Sequence, residues 1–307
     1  MLHSLDTIVA AAVEDEAGVL AVAAAHDRAV LEAVVIARRS EIITPILVGD
    51  EERIVRYLRE LEDDPANYEI IPAQGDLECA RIAVQLVTEG KADFLMKGII
   101  GTADLMRAVL SKDANLRTNR LLSHIMLFEA KQYHKLILMT DGGMNTFPDL
   151  GKKVQILENA AHVLQCLGYD HINCSCVCGA ETVNPKIQGT VDAAAMAAMK
   201  EHWAPYHMDV IGPTSVDLAL SPEACKHKHY SAPGAGDADI LLVTNYEMGN
   251  GIYKTALCLG GARSAGMVVG ARTPIILVSR SDSAESKLAS IALGAIVSRA
   301  ERQMNGQ

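Results

Sequence analysis

The feature that most constrains this chain is a rhythm. Through its first hundred residues, short apolar runs alternate with amphipathic segments of helical period. VLAVAAA (19–25), TPILVGD (44–50), YEIIPA (68–73) and ADFLMK (92–97) read as strands. DRAVLEAVVIARRS, a charged stretch from Glu51 and a stretch from Asp76 read as the helices between them. Strands apolar on both faces, joined through helices, are the mark of an α/β protein with largely parallel sheets. In the third helix Asp76 is the expected cap, Leu77, Ala80, Val84 and Val87 share one face, and Gly90 stops it. A glycine loop after Lys97 leads to a further helix, TADLMRAVLSK.

After residue 112 the rhythm changes. RTNRLLSHIMLFEA and KLILMTD are successive strand-like runs with no helix between them, which marks a domain boundary. The alternation then resumes with a helix from about Asp149 to Leu167, a cysteine-bearing strand, a helix across TVDAAAMAAMKEHW, the run MDVIGP and a short helix from Val216. ADILLV (238–243), a helix near 250–260, the runs GMVVG and PIILVS, and a helix from Asp282 to Arg302 complete the chain. The length of 307 residues fits about two domains. Periodicity alone does not decide which domain the final strand and helix close.

Composition removes several function classes. The net charge is −10 and aromatic residues make up 4%, so neither a basic nucleic-acid surface nor a base-stacking platform is expected. AGVLAVAAA (17–25) is half the length of a bilayer span, and MLHSLDT lacks the basic flank of an export signal. The expectation is a cytoplasmic protein without a membrane partner. Seven cysteines with no framework spacing fit a reducing compartment. Cys174, Cys176 and Cys178 alternate along one strand and read as buried thiols, because zinc sites need wider spacing. No metal site is expected.

The common catalytic fingerprints fail. GNGIYK (249–254) has Lys254 where a dinucleotide loop needs its third glycine, and there is no Walker loop, no HExxH and no GxSxG elbow. Three places remain where a strand feeds a helix through a short loop beside a cation, an arrangement that suits anions. KGIIGTADLMR offers Lys97, Thr102 as N-cap, and Arg107. MGNGIYK offers Asn250 at the loop and Lys254 a turn beyond. VSRSDSAES (278–286) offers Ser279 and Arg280. Each has a purely architectural alternative: Thr102 can serve only as a cap, and Asp282 with Glu285 has capping-box spacing. KHKH (226–229) reads as a solvated basic helix end and His124 as a hydrogen-bonded core histidine. Asp141, Gly142 and Gly143 follow a strand directly, as a ligand loop or a plain turn.

A resemblance joins these pieces. GNGIYKTALCLGGARSAGMVVGARTPIILVSRSDSAESK (249–287), KGIIGTADLMRAVL (97–110), LRTNRLLSH (116–124) and ETVNPKIQGTVDAAAM (181–196) resemble the phosphate acetyl/butyryltransferase family. LRTxxxLSH, ETVNPK and SRSDS look more like its phosphate butyryltransferase branch. The resemblance implies the reversible reaction acyl-CoA plus phosphate giving acyl phosphate plus CoA, through a ternary complex. It implies no metal or prosthetic group, coenzyme A entering only as the thioester substrate. It also implies a two-domain isocitrate/isopropylmalate dehydrogenase-like fold with an interdomain cleft, and a homodimer or higher homo-oligomer. On that fold, residues 1–125 plus 267–307 form the first domain and 126–266 the second, dimerising domain.

The implied site follows residue by residue. Ser279 and Arg280 suit phosphate binding and the oxyanion of a tetrahedral intermediate. Lys97, Thr102, Arg107, Asn250, Lys254 and Arg263 are the implied partners of phosphate or CoA. The acetyl branch carries an aspartate base six residues after the arginine, where this chain has Ser286. Asp282 and Glu285 are the remaining candidates for the base. Two alternatives stay open: a phosphate acetyltransferase acting on acetyl-CoA, and a non-catalytic sensor of acyl-CoA or phosphate that keeps the loops without the base. An oxidoreductase of the same architecture would need nicotinamide and a cluster of acidic metal ligands, and the sequence shows no such cluster.

Overall fold

A computed structural model describes residues 1–14, 16–279 and 282–304. The chain divides into two compact units, Asp6–Arg120 with Ala265–Gln307, and Met1–Leu5 with Leu121–Ser264. It opens with a helix that the sequence pattern did not announce, α1 (Leu5–Val13), whose Ile8 and Ala12 are fully buried. There follow β1 (Gly18–Ala23), α2 (Arg28–Arg39), β2 (Ile43–Gly49), α3 (Glu51–Glu60), β3 (Glu69–Pro72), α4 (Asp76–Thr88), β4 (Phe94–Lys97) and α5 (Thr102–Val109). Asp27 and Asp50 cap α2 and α3 by accepting the N–H groups of Val30 and Arg53.

Asp76 does not cap α4. The cap position is Gly75 at φ +78, with no side-chain cap bond, and Asp76 is the first helical residue. A positive φ suits glycine, so the chain turns one residue earlier than the aspartate suggested. Leu77 is 61% exposed, and the buried face runs through Cys79, Ala80, Ala83, Val84 and Leu86 instead.

The middle of the chain supplies β5 (Ser123–Glu129), β6 (Ile137–Thr140), α6 (Leu150–Cys166), β7 (Ile172–Val177), α7 (Gln188–Ala198), α8 (Lys200–Trp203), β8 (Met208–Thr214), α9 (Val216–Leu220), α10 (Pro222–His227), β9 (Ile240–Val243) and α11 (Tyr246–Cys258). The strand order here is β5-β6-β9-β7-β8, antiparallel between β5 and β6 and parallel elsewhere. Cys174, Cys176 and Cys178 are buried. The single helix read across 190–203 is broken at Met199. Trp203, 1% exposed, lies beyond the break and donates its indole N–H to Met196 O at 2.8 Å.

Residues 1–5 and 121–125, placed with the other domain on the sequence, lie in this unit. Leu2 N–H reaches Leu167 O at 3.2 Å and Leu5 N–H reaches Glu129 Oε2 at 3.1 Å. Leu121 donates its N–H to Gln155 Oε1 at 3.1 Å and accepts Asn159 Nδ2 at 2.8 Å.

The chain returns through β10 (Arg263–Val269), β11 (Ile275–Ile276) and α12 (Ala284–Met304). In the unit that contains β1 to β4, the order is β3-β2-β1-β4-β11-β10. All neighbours are parallel except β11 and β10. The last strand and helix therefore complete the sheet on which the chain began.

Candidate functional site

In an open parallel sheet, ligands gather outside the carboxyl ends of the strands, where the order reverses. In the first sheet that point lies between β1 and β4: the chain builds β2 and β3 on one side of β1, then crosses to β4 on the other. β11 pairs in parallel with β4, Ile275 opposite Leu95 and Ile276 opposite Met96. The loops leaving these two strands are therefore neighbours at one sheet edge. They carry two of the three anion loops read from sequence, with Lys97, Thr102, Ser279 and Asp282.

The loop after β4 is held by its own backbone. Gly98 donates N–H to Ala23 O at 2.8 Å and Ile99 to Ala24 O at 3.0 Å. A Cβ on Gly98 would lie 2.1 Å from Ala24 O, so only glycine fits. Lys97, 5% exposed, folds its ammonium back to Gly98 O and Ile100 O, both at 3.1 Å. Thr102 is not the cap. The cap position is Gly101, no side chain caps the helix, and Thr102 is its exposed first residue. The helix starts one residue earlier than expected, and no side chain caps the start of α5, which suits an anion. Arg107 is exposed and pairs with Asp104 at 2.7 Å along α5.

After β11, the described residues Ser279 and Asp282 bond each other. Ser279 N–H donates to Asp282 Oδ2 at 2.7 Å, and Asp282 N–H donates back to Ser279 O at 3.1 Å. The capping box expected from Asp282 and Glu285 does not form. Ser283 is the residue whose hydroxyl accepts an N–H of the first turn, that of Ser286 at 3.2 Å, and the two hydroxyls lie 3.3 Å apart. Asp282, two residues before α12 begins, is engaged by Ser279, and Glu285 is exposed. Arg280 lies outside the described residues. Lys287, which the sequence reading did not single out, is 1% exposed and donates its ammonium to Asp282 O.

The third loop is arranged differently. α11 begins at Tyr246 under Asn245, whose side chain accepts Met248 N–H at 2.9 Å. Asn250 is thus inside the helix, not at the loop. GNG is needed for another reason: a Cβ on Gly249 would lie 2.6 Å from Gly142 Cα, so helix and loop meet backbone to backbone. Lys254 is exposed with its ammonium 5.1 Å from the Tyr253 ring centroid. Arg263 pairs with Glu129 at 2.8 Å. Glu129 ends β5, antiparallel to β6, so this pair lies at the opposite sheet edge from the loop after β6.

Asp141, 2% exposed, organises that loop. Its carboxylate accepts N–H bonds from Gly143 at 2.9 Å, Met144 at 2.8 Å and Asn145 at 3.3 Å, from Asn145 Nδ2 at 2.7 Å and from His124 N–H at 3.1 Å. His124 is a buried neighbour, and a Cβ on Gly143 would lie 2.6 Å from its ring.

Other charges of this unit are also answered locally. Lys153 and Asp192 form a buried pair at 2.7 Å, with Gln188 Nε2 on the second carboxylate oxygen at 2.7 Å. From KHKH, Lys228 bonds Asp217 at 2.7 Å and Glu181. Those bonds, with Ser215, hold Asp217 down at about 2, lower Glu181 and raise Lys228. Lys228 is thus part of an ion network, while Lys226, His227 and His229 are exposed at the helix end, as the sequence reading expected. Among the described residues no group of three or more His, Cys, Asp or Glu is placed to hold a metal ion.

The comparisons with known proteins agree with the motifs. The family described as phosphate acetyl/butaryl transferase matches residues 73–295. This chain belongs to that family. It is similar to the phosphate butyryltransferase of Clostridium acetobutylicum, 38% identical over 97% of this chain and 99% of that protein. It is likewise 38% identical to a phosphate acetyltransferase of Thermotoga maritima, over 90% of this chain and 94% of the relative. Among solved structures, a branched-chain phosphotransacylase from Enterococcus faecalis V583 superposes with TM-score 0.81 at 33% identity, covering 91% of this chain and 98% of that one. A 4-hydroxythreonine-4-phosphate dehydrogenase from Klebsiella pneumoniae gives TM-score 0.52 at 13% identity over 92% and 99%. That likeness concerns the fold alone, and it is the dehydrogenase-type α/β fold that the family resemblance implied.

Proposed function

We propose that this chain is an acyltransferase that moves a short acyl group between coenzyme A and inorganic phosphate, acyl-CoA + phosphate = acyl phosphate + CoA. Family membership over nearly the whole chain supports this class. The observation that carries the site is the parallel pairing of β4 with β11, which puts the Lys97 and Ser279 loops side by side at the carboxyl edge. Both substrates are oxyanions, and this edge joins an uncapped helix start to buried ammonium groups.

In the forward direction a phosphate oxygen attacks the thioester carbon. The C–O bond forms, the carbonyl becomes an oxyanion, and its collapse breaks C–S and releases thiolate. Ser279 and Arg280 are assigned to the phosphate and the oxyanion, and Lys97 and Thr102 to the neighbouring anion. Arg107 contributes at the surface of α5, and Asn250, Lys254 and Arg263 are assigned to CoA. Dianionic phosphate is already nucleophilic, and a thiol near 8.5 leaves readily as thiolate, so the forward step needs no dedicated base. This fits a chain whose Ser286 bonds Ser283 and whose Asp282 is engaged by Ser279. Coenzyme A is substrate, and no resident cofactor is assigned. A cytoplasmic homodimer is part of the same proposal. No helix among the described residues is long and apolar enough to cross a membrane.

Incubation with butyryl-CoA is expected to release thiol only when phosphate is added, and release independent of phosphate would make the protein a thioesterase. No turnover with either substrate present, but binding of both, would favour the sensor. Arg280→Ala is expected to cut phosphate-dependent turnover by about 10²-fold with the fold intact. The similarity to the Thermotoga maritima phosphate acetyltransferase supports the acetyl alternative. Rates across acetyl, propionyl, butyryl and valeryl thioesters decide between them, since one methylene is worth about 1–3 kcal/mol of discrimination.

A further inference from the structure

A cavity of about 660 Å³ opens at the carboxyl edge of the sheet that contains β5 to β9. Its walls come from the loop after β6, the residues that follow β7 and β9, and the first turns of α6 and α7. β6, β9 and β7 are neighbours in that order, although β9 is formed last. The chain passes over this gap and fills it on its return, which puts the cavity where strand order changes. Its volume lies within the range of about 300–1,000 Å³ typical of small-molecule sites. None of the described residues already assigned to phosphate or coenzyme A lines it. Part of the wall is apolar, with Phe147, Leu150, Ile187 and Val191, and Phe147 is 69% exposed.

The polar part of the lining is a buried ion pair, Lys153 and Asp192, with side chains 7% and 6% exposed. Asp192 is fully engaged, accepting Lys153 on one oxygen and Gln188 Nε2 on the other, both at 2.7 Å. Lys153 is not. An ammonium has three N–H groups, and among the described residues Asp192 is its one hydrogen-bond partner. A neighbouring recess that Lys153 also lines measures about 10 Å³, barely room for one water. The unspent donors are therefore left to the occupant of the cavity, and leaving them unmet is costly.

Charge selects that occupant. Asp192 neutralises Lys153, burial pushes the Cys178 thiol up to about 11 and so keeps it neutral, and the remaining charge on the lining is the Asp149 carboxylate. Such a lining disfavours phosphate groups. It fits a neutral chain in which methylenes alternate with carbonyl acceptors, and the acyl-pantetheine arm of an acyl-CoA is such a chain. α11, which carries Asn250 and Lys254, starts directly after the cavity residues Thr244 and Asn245. We propose that this cavity receives the acyl-pantetheine arm, its carbonyls accepting from Lys153 and its methylenes covered by the apolar wall. The inference rests on the acyl-transfer reading and gives its thioester substrate a subsite.

The test measures thiol release against butyryl-CoA at saturating phosphate, and against phosphate at saturating butyryl-CoA. Ala195→Leu, which adds bulk to the cavity wall, is expected to raise KM for butyryl-CoA about tenfold while KM for phosphate stays within about twofold. Lys153→Met combined with Asp192→Leu removes the ion pair as a unit, leaves no lone charge buried, and should raise KM for butyryl-CoA similarly. Two fragments of the substrate identify the arm. Inhibition by S-methyl pantetheine, which has no free thiol, should weaken about tenfold in Ala195→Leu, while inhibition by adenosine bisphosphate, the nucleotide end, should not change. Equal weakening for both fragments, or a rise in phosphate KM matching that for the thioester, would overturn the inference. If the double variant does not fold, Val191→Phe joins Ala195→Leu as the second arm. An unchanged thioester KM in a phosphate-dependent enzyme overturns this inference alone, whereas phosphate-independent release by the parent enzyme overturns the acyl-transfer reading.

Discussion

Two glycine loops at carboxyl strand edges, one in each unit, are built from the same parts and end in opposite electrostatic states. After β4, Gly98 packs on the Ala24 carbonyl, and the charged group beneath is an ammonium, Lys97. After β6, Gly142 packs on the Gly249 backbone, and the charged group beneath is a carboxylate, Asp141. The second loop has spent its amides on its own aspartate: Gly143, Met144 and Asn145 all donate inward. The first leads to a helix start that no side chain caps. A glycine-rich turn before a helix is thus not in itself an anion site. What decides is whether the protein has already supplied the anion.

This contrast can be broken most forcefully at Asp141. Asp141→Ala removes the acceptor of five bonds and should cost about 3–5 kcal/mol, seen as a large fall in Tm. Loss of activity at unchanged Tm would instead make Asp141 a ligand group. Next comes Gly98→Ala, whose Cβ meets Ala24 O at 2.1 Å and must displace the loop. Phosphate-dependent turnover should fall by about 10²-fold, with stability lowered by about 1–3 kcal/mol. Gly249→Ala should show a comparable stability loss of about 1–3 kcal/mol with a smaller kinetic effect.

Lys97→Met should raise KM for phosphate about tenfold, since it removes a cation beside the proposed subsite. A matching rise in KM for the thioester would assign Lys97 to loop architecture alone. The smallest effect sharpens the contrast at the helix starts. Ser283→Ala should lower stability by about 1 kcal/mol as a lost cap, while Thr102→Ala and Glu285→Ala should stay within about 0.5 kcal/mol in chemical denaturation.

Much of the fold was legible because period and burial are local properties. The strands β1 to β4 and the break in rhythm after residue 112 appear as patterns within a few residues of one another. Caps were read less well. Asp76 and Thr102 each lie one residue inside the helix they were expected to cap, because a glycine took the cap position, Gly75 at a positive φ and Gly101 in an extended conformation. The Asp282 and Glu285 spacing matched a capping box, but Ser283 was nearer the true helix start. Of the proposed site, Lys97 and Ser279 were named from strand-to-helix chemistry. Lys287 was missed because a lysine in a helix reads as a solvated residue unless its burial is known. Asn250 was placed in a loop because the glycines around it signal a turn, whereas Gly249 answers a contact with a residue more than a hundred positions earlier.

From the sequence alone came the α/β class, the strand-to-helix loops with their cations, and, through its motifs, the family. Periodicity is written residue by residue, and motif spacing survives without any knowledge of contacts. Tertiary structure alone decided that β11 lies beside β4, that Asp141 consumes the amides of its own loop, and that Lys287 is buried with its ammonium on Asp282 O. Strand order and the burial of a charge depend on which distant segments meet, and no local pattern encodes that meeting.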